Sequence, residues 1–328
     1  MTMYFGLSEE QQFFQETISK FLEGESTIDA IRSFTKGDNP DFPEKIHNGL
    51  LELGINGLII PEEYGGLGQD LLSAAAVSET LGAGVTTAPF IGSYIMAPYA
   101  IMKSGSDTQK DKYLKGITDS SIRFGVGLTE FVASREGAQI EIESGKANGR
   151  ALFVFDSNQA THFLLSDLTG QLFIIDAKAK GLEIIELTTV DKTSSFVELS
   201  IKDIEIDTLG KQSNNRETTQ EIVDLGRLMI AADSLGAAQV MINKSVSYSK
   251  ERKQFGRVIG SFQAVKHMCA EMTATIEPCY SLIWYAAHCM NHIPDESSLM
   301  SSHSKAHVSE VASSIAKTAT EVHGGMGF

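Results

Sequence analysis

Positive charge is scarce in this chain: 27 Lys and Arg stand against 42 Asp and Glu among 328 residues, a formal net charge of −15 with pI near 5.0. Nucleic acids and anionic membrane surfaces are bound through a basic face that displaces counterions, so this balance argues against both as partners. An anionic ligand has to be met by a few local cations and by backbone N–H groups. Long apolar runs are missing too, and none approaches the ~18 residues of a membrane span. The N-terminus MTMYFGLSEEQQFFQ carries no basic stretch and no apolar core, so no signal peptide is expected. Cysteine is sparse: Cys269, Cys279 and Cys289 lie ten residues apart with no C-x-x-C, which fits neither a disulfide framework nor a zinc site. The expectation is a cytoplasmic protein with reduced, mostly buried thiols. No internal repeat, low-complexity tract or G-x-S-x-G elbow occurs, and hydrolase chemistry has no support.

What is present is apolar material in three textures. Hydrophobic residues make up 42% and charged residues 21%, enough for a sizeable core. Ser8 with Gln11 forms a capping-box start, followed by Phe13, Phe14, Ile18, Phe21 and Leu22 at helical spacing. Pro43 opens a helix carrying Ile46, Leu50 and Leu53, Asp70 opens an Ala/Leu-rich one, and Phe90 to Lys103 reads as another. Between them, IIPEEYGGLG (59–68) is a loop by its Pro and Gly content. From Ser121 to Asp207 come short β-branched and aromatic runs with period-two alternation, and Asn148-Gly149 and Thr169-Gly170 supply turns. Beyond Lys211, long helices are predicted over Arg216–Lys250, Phe262–His292 and Ser297–Val322, interrupted near Pro278 and Pro294. The fold class is therefore α+β: an N-terminal helical domain (1–118), a middle antiparallel β domain (119–210) and a C-terminal four-helix-type bundle (211–328). The absence of βαβ alternation disfavours a doubly wound fold.

Three stretches carry a resemblance: Gly57-Leu-Ile-Ile-Pro61-Glu62-Glu63-Tyr64-Gly65-Gly66-Leu67-Gly68, then Glu251-Arg252-Lys253-Gln254-Phe255-Gly256 with Phe262-Gln263, and His323-Gly324-Gly325-Met326-Gly327-Phe328. In this order they resemble the acyl-CoA dehydrogenase family, short bacterial type, over essentially the whole chain. Each alone is a weak signal; the second, standing by itself, reads as a helix end with a solvated charge run. The resemblance implies FAD as cofactor, an acyl-CoA substrate, an electron-transfer flavoprotein as partner, and a homo- or hetero-oligomer. It implies that Arg252, Gln254, Phe255 and Gln263 reach the FAD of a neighbouring subunit. The segment containing Glu321, Gly324 and Gly325 would meet the same FAD. A guanidinium suits the diphosphate, and glycines allow backbone to approach closely.

In the β region, Leu128-Thr129-Glu130 resembles the family's L-T-E-P-x-A-G-S-D, whose Thr contacts flavin; Phe131 replaces Pro and Arg135 stands where Ser is expected. Asn148-Gly149-Arg150-Ala151-Leu152-Phe153-Val154-Phe155 stands for N-G-x-K-x-W-I-T. Phe153 can serve as the aromatic wall, whereas Phe155 cannot supply the Thr hydroxyl. Equally, both phenylalanines read as one face of a strand.

Desaturating a thioester at Cα–Cβ needs a carboxylate for the α-proton and a flavin for the β-hydride. The family usually places its Glu beyond H-G-G-x-G-F. Some relatives place it on the helix that here reads Val223-Asp224-Leu225-Gly226-Arg227-Leu228, where Gly226 occupies the base position. Asp224 and Arg227 match positions that line the acyl-CoA pocket. Asp233, one turn on, reads as a core or rim residue. Three functions follow: an acyl-CoA dehydrogenase passing electrons to an electron-transfer flavoprotein, a non-catalytic subunit of a heteromeric acyl-CoA dehydrogenase that completes a partner's FAD site, or a relative that uses oxygen as an oxidase or flavin monooxygenase. Glu321, where the family has Gln, favours the second. The i,i+4 pairs His288/His292 and His303/His307 lack a companion carboxylate and read as surface or interface histidines rather than metal ligands.

Overall fold

The computed structural model describes residues 6–132, 137–210 and 215–327. Six helices precede the sheet in the described residues: α1 (Glu9–Glu25), α2 (Ile28–Lys36), α3 (Phe42–Glu52), α4 (Leu71–Ala83), α5 (Ala97–Ser104) and α6 (Asp107–Thr118), with a π-helical stretch Phe90–Met96 running into α5. The sheet strands are β1 (Phe124–Gly127), β2 (Gln139–Glu143), β3 (Lys146–Phe155), β4 (His162–Ser166), β5 (Leu172–Asp176), β6 (Leu182–Glu186), β7 (Phe196–Glu205) and β8 (Asp207–Thr208), with the single turn α7 (Thr129–Val132) after β1. Then follow α8 (Asn215–Glu251), a hairpin of β9 (Lys253–Gln254) and β10 (Arg257–Val258), α9 (Gln263–His292) and α10 (Pro294–His323). By its contacts the chain divides into two compact units. One comprises the chain up to Glu23, Leu71–Thr86 and Arg227 onward; the other comprises Gly24–Asp70 and Thr87–Gly226.

The unit that holds the sheet has strand order β6-β7-β3-β1-β4-β5-β8, with β2 added beside β3. All pairings are antiparallel except β1 with β4, where Phe124–Gly127 run alongside His162–Leu165. Alternation puts Ala147, Ala151, Val154, Leu199 and Ile201 into one core with Phe163, Leu165 and Phe173. Thr169-Gly170 turns β4 into β5 as predicted, with Gly170 at φ 89° and its N–H on the Asp167 carbonyl. Asn148-Gly149 does not turn. It sits inside β3, and the chain reverses one step earlier at Ser144-Gly145, both left-handed. The reason is a bulge: Gly149 stands at φ 134°, where a Cβ would lie 1.8 Å from the Gln139 carbonyl oxygen, and Asn148 Oδ1 accepts the Asp203 N–H at 2.8 Å.

The segment 90–103 is not one uniform helix. Gly92 donates its N–H to the Asp156 carboxylate at 2.6 Å, which takes a donor out of the helical ladder where the turn is widened. In the loop 57–68 the glycines are dictated by the chain's own packing. A Cβ on Gly66 would lie 2.0 Å from the Ile60 carbonyl oxygen, and Gly65 caps the turn at φ 85°.

In the other unit α1 starts with the expected capping box: Ser8 N–H on Gln11 Oε1 at 2.8 Å, and Gln11 N–H on Ser8 Oγ at 3.2 Å. Gln11 Nε2 donates to Ser73 Oγ and Gln15 Nε2 to the Ala76 carbonyl, which fixes α1 on α4. α4 and α8 meet backbone to backbone. Ser78 Oγ donates to the Met229 carbonyl at 2.9 Å, and a Cβ on Gly82 would lie 2.0 Å from the Asp233 carbonyl oxygen. Pro294 begins α10 as predicted, but Pro278 does not interrupt α9. The missing hydrogen bond there is outweighed by burial of Met272, Ile276, Cys279 and Ile283 on the same helix. By length and mean hydropathy Arg216–Glu251 could cross a membrane, yet 56% of its most apolar window is buried inside the protein, as in a core helix.

Gly236 is the reciprocal contact of Gly82, with a Cβ falling 1.8 Å from the Glu79 carbonyl oxygen. Gly236→Ala should lower the unfolding free energy by about 1–3 kcal/mol, as overpacking does. A urea transition at an unchanged midpoint would disprove the close packing.

Candidate functional site

At the end of β3 the chain is shaped by two side chains from α7. Thr129 Oγ1 donates to the Leu152 carbonyl at 2.7 Å, and Glu130 Oε1 accepts the Leu152 N–H at 3.3 Å. One residue is thus held from both sides, and the β3–β7 register slips between Ala151 and Val154. The slip leaves Phe153 at φ 54° and 45% exposed, a conformation that few non-glycine residues adopt without a reason. Phe155 turns the other way: a Cβ built on Gly92 would lie 3.1 Å from its ring, so the π-helical stretch and Phe155 are packed against each other. Arg135 lies outside the described residues.

On α8, Asp224 is 1% exposed and accepts from Gln220 Nε2 at 3.0 Å. Gly226 is buried, and a Cβ there would meet Met96 Sδ at 2.8 Å. The last residue of the π-helical stretch therefore occupies the room into which a side chain at 226 would grow. Arg227 is half-buried in the following turn.

The other motifs come together in the other unit. Lys253–Gln254 and Arg257–Val258 form a two-residue hairpin whose turn is Phe255-Gly256, at φ 53° and 77°. Asn or Gly is the usual occupant of such a turn; here a phenylalanine stands in it, 92% exposed, its ring edge-on to Phe262 at 6.1 Å. Arg252, Gln254 and Gln263 are exposed alongside, and Arg257 stacks over Phe262 at 4.0 Å. His323 stacks on Tyr248 at 4.6 Å, and Tyr248 accepts the Arg252 N–H through its carbonyl, so α10's end lies against the hairpin's root. Beyond it Gly324 and Gly325 are exposed, with nothing within 4 Å of a Cβ at either. Glu321 is exposed one turn before.

Sequence reasoning gave no role to several residues that shape the sheet-bearing unit. Arg123 donates to both Glu44 oxygens at 3.3 Å and to His47 Nδ1 at 2.8 Å, and the remaining His47 nitrogen faces Tyr94 Oη at 2.5 Å. An arginine on Nδ1 fixes the tautomer, so Nε2–H donates to the tyrosine. This buried chain ties α3 to Tyr94 of the π-helical stretch, and Ser93 Oγ accepts the Phe124 N–H at 2.8 Å. Met96 and His47 carry no motif that a sequence reading could use. Glu130 did carry a signal, being a lone acid between Phe124–Leu128 and Phe131-Val132.

Relatives now give this geometry its class. An α+β chain with two exposed glycine-and-aromatic motifs flanking a bundle matches the acyl-CoA dehydrogenase N-terminal domain over residues 8–121 and the acyl-CoA dehydrogenase C-terminal domain over residues 217–328, together more than half of its length. The chain belongs to the acyl-CoA dehydrogenase family, an FAD-dependent family of oxidoreductases. The short-chain-specific acyl-CoA dehydrogenase of Clostridium acetobutylicum is 28% identical over 99% of this chain and 90% of its own. The caffeyl-CoA reductase–Etf complex subunit CarC of Acetobacterium woodii is 27% identical with the same coverage. The glutaryl-CoA dehydrogenase–glutaryl-CoA complex is similar with TM-score 0.88 at 25% identity, covering 99% of this chain and 88% of that one.

Burial and the neighbouring guanidinium push His47 down to about 4, while Arg123 holds Glu44 below the usual carboxylate range. In the unfolded chain His47 takes a proton below about 6.5, so the unfolded state binds more protons as pH falls toward 4. Stability is therefore complete above about pH 6.5 and declines by up to about 3 kcal/mol on approach to pH 4. Denaturant midpoints against pH should show this slope, and His47→Gln should flatten it.

Proposed function

We propose that this chain works in the α,β-desaturation of an acyl-CoA thioester, with electrons passed to an electron-transfer flavoprotein. The observation that carries this reading is the strained hairpin: Phe255 is held left-handed and 92% exposed beside Arg252, with one edge-on ring contact to Phe262 in return. The residues fit FAD. Space stands open around Gly324 and Gly325, a buried Glu130 oxygen has no partner among the described residues, and Phe153 is turned outward from the sheet. Arg252, Gln254, Phe255, Gln263 and the Glu321–Gly325 segment would hold the cofactor of an adjoining subunit. Thr129, Phe153 and, with Arg135, the end of the β3 strand would face this chain's own. Phe155 is the misfit, since its ring is packed on Gly92 and offers no hydrogen bond. Bound FAD supplies the acceptor for the β-hydride; Asp224 and Arg227 would line the thioester's path. The Etf complex named for the Acetobacterium relative supports the electron-transfer partner.

A second reading is favoured by one observation: Met96 fills the space beside Gly226, so the alternative base position is both empty of a carboxyl and closed to one. On that reading the chain is the non-catalytic subunit of a heteromer and lends its hairpin and H-G-G segment to a partner's FAD.

The visible spectrum separates the two. A yellow protein purified alone and bleached anaerobically by acyl-CoA supports the enzyme. A colourless one that gains flavin only when co-produced with a second acyl-CoA dehydrogenase subunit supports the helper. In either assembly Arg252→Glu should reduce flavin content at least tenfold while the unfolding midpoint of the flavin-free protein stays unchanged, because the side chain is exposed. Phe255→Asn should do the same, since relief of about 1 kcal/mol of left-handed strain offsets the lost ring contact. Flavin retained at wild-type levels in both variants would sink the proposal.

A further inference from the structure

In the bundle-bearing unit, residues of α1, α4, α8 and α9 line a cleft of about 550 Å³, a size usual for small-molecule sites. Its walls include Glu79, Gln239, Glu277, Tyr280 and Trp284, and no Lys, Arg or His. The five residues ahead of Gly6, MTMYF, carry none either. The backbone contact of α4 with Gly236 sets Glu79 against α8, and its half-buried carboxyl has no hydrogen bond or ion pair among the described residues. Burial alone pushes this acid up to about 7. Burial, and after it the charges of Glu79 and Glu277, push the Tyr280 hydroxyl well above its ordinary range, which places both acids beside that ring. Donors in the cleft are spent within the chain. Tyr280 Oη donates to Gln239 Oε1 at 3.0 Å and Gln239 Nε2 to Asn243, while Gln12 and Gln15 donate to the Leu7 and Ala76 carbonyls. What faces a ligand is two acids and two aromatic rings, Tyr280 and Trp284, with centroids 6.1 Å apart at 60°. No group of three His, Cys, Asp or Glu among the described residues is placed to hold a metal ion, so an organic cation is the better fit.

We propose that this cleft binds a small organic cation of the guanidinium type, its flat face against the Tyr280 and Trp284 rings and its N–H groups on the Glu79 and Glu277 carboxylates. A planar guanidinium meets both demands at once, forking onto a carboxylate and stacking on an aromatic face. It also supplies the positive charge that an acid held in a half-buried place otherwise lacks. None of the lining residues belongs to the motifs assigned to FAD or to the thioester, so this site stands apart from the proposed function.

Trp284 is the chain's only tryptophan, and its fluorescence reads the cleft directly in the assembly as isolated. Titration with n-butylguanidinium chloride at constant ionic strength should change that emission with half-saturation at about 1–10 mM, as suits so small a ligand. N-butylurea, of the same shape without the charge, should leave the emission unchanged. Because Glu79 has to ionise to pair, affinity should rise about tenfold between about pH 6 and pH 8. Glu79→Gln should abolish that pH dependence and weaken the probe at least tenfold, with flavin content at the wild-type level. Glu277→Gln, at an exposed position, should weaken it about threefold. An emission that n-butylguanidinium leaves unmoved, one that both probes change alike, or a response kept at full strength in both variants overturns the inference.

Discussion

The widened turn of Phe90–Met96 is the constraint on which the arrangement around it depends. A π-helical stretch is held only where something outside the helix accepts or replaces its displaced hydrogen bonds. Here Asp156 takes the Gly92 N–H, Ser93 takes the Phe124 N–H, and Tyr94 is reached through His47 from the Arg123–Glu44 pair. Those bonds are buried and charge-assisted at one end, so each is strong and none is easily traded for water. The stretch in turn decides what β3 and α8 can show: Gly92 receives the Phe155 ring, and Met96 lies on Gly226. Phe155 and Gly226 are thus both packed on this one segment.

The two compact units divide the chemistry. In the sheet-bearing unit Thr129 and Glu130 grip Leu152 from two sides, beside a register slip that leaves Phe153 exposed. The bundle-bearing unit offers an open surface, with Phe255, Gln263, Gly324 and Gly325 standing exposed. Glycines serve opposite ends in the chain. Gly66, Gly82 and Gly236 have backbone oxygens about where a Cβ would sit, and so belong to the fold. Gly325 has nothing within 4 Å and no positive φ, so nothing among the described residues requires it.

A protein with net charge −15 binds a dinucleotide only by concentrating its few cations and amide donors. The hairpin brings two of them, Arg252 and Arg257, together at one exposed turn. Glu321 remains as an exposed anion beside the same motif, where solvent can screen it.

Periodicity and composition determined the helix–sheet–helix order, nearly every strand from β1 to β7, the Ser8 capping box and the break at Pro294, because those depend on interactions among residues close in the chain. The three glycine-containing motifs likewise marked the family before any coordinates. Tertiary structure alone decided that Asn148-Gly149 is a bulge rather than a turn, that Pro278 lies inside a helix, and that residues 90–96 are widened. It alone joined Glu130 to Leu152, Met96 to Gly226 and Tyr248 to His323. Each of these is settled by a partner distant in sequence, whose backbone atom or side chain either removes the room for a Cβ or satisfies a hydrogen bond that the local pattern leaves open.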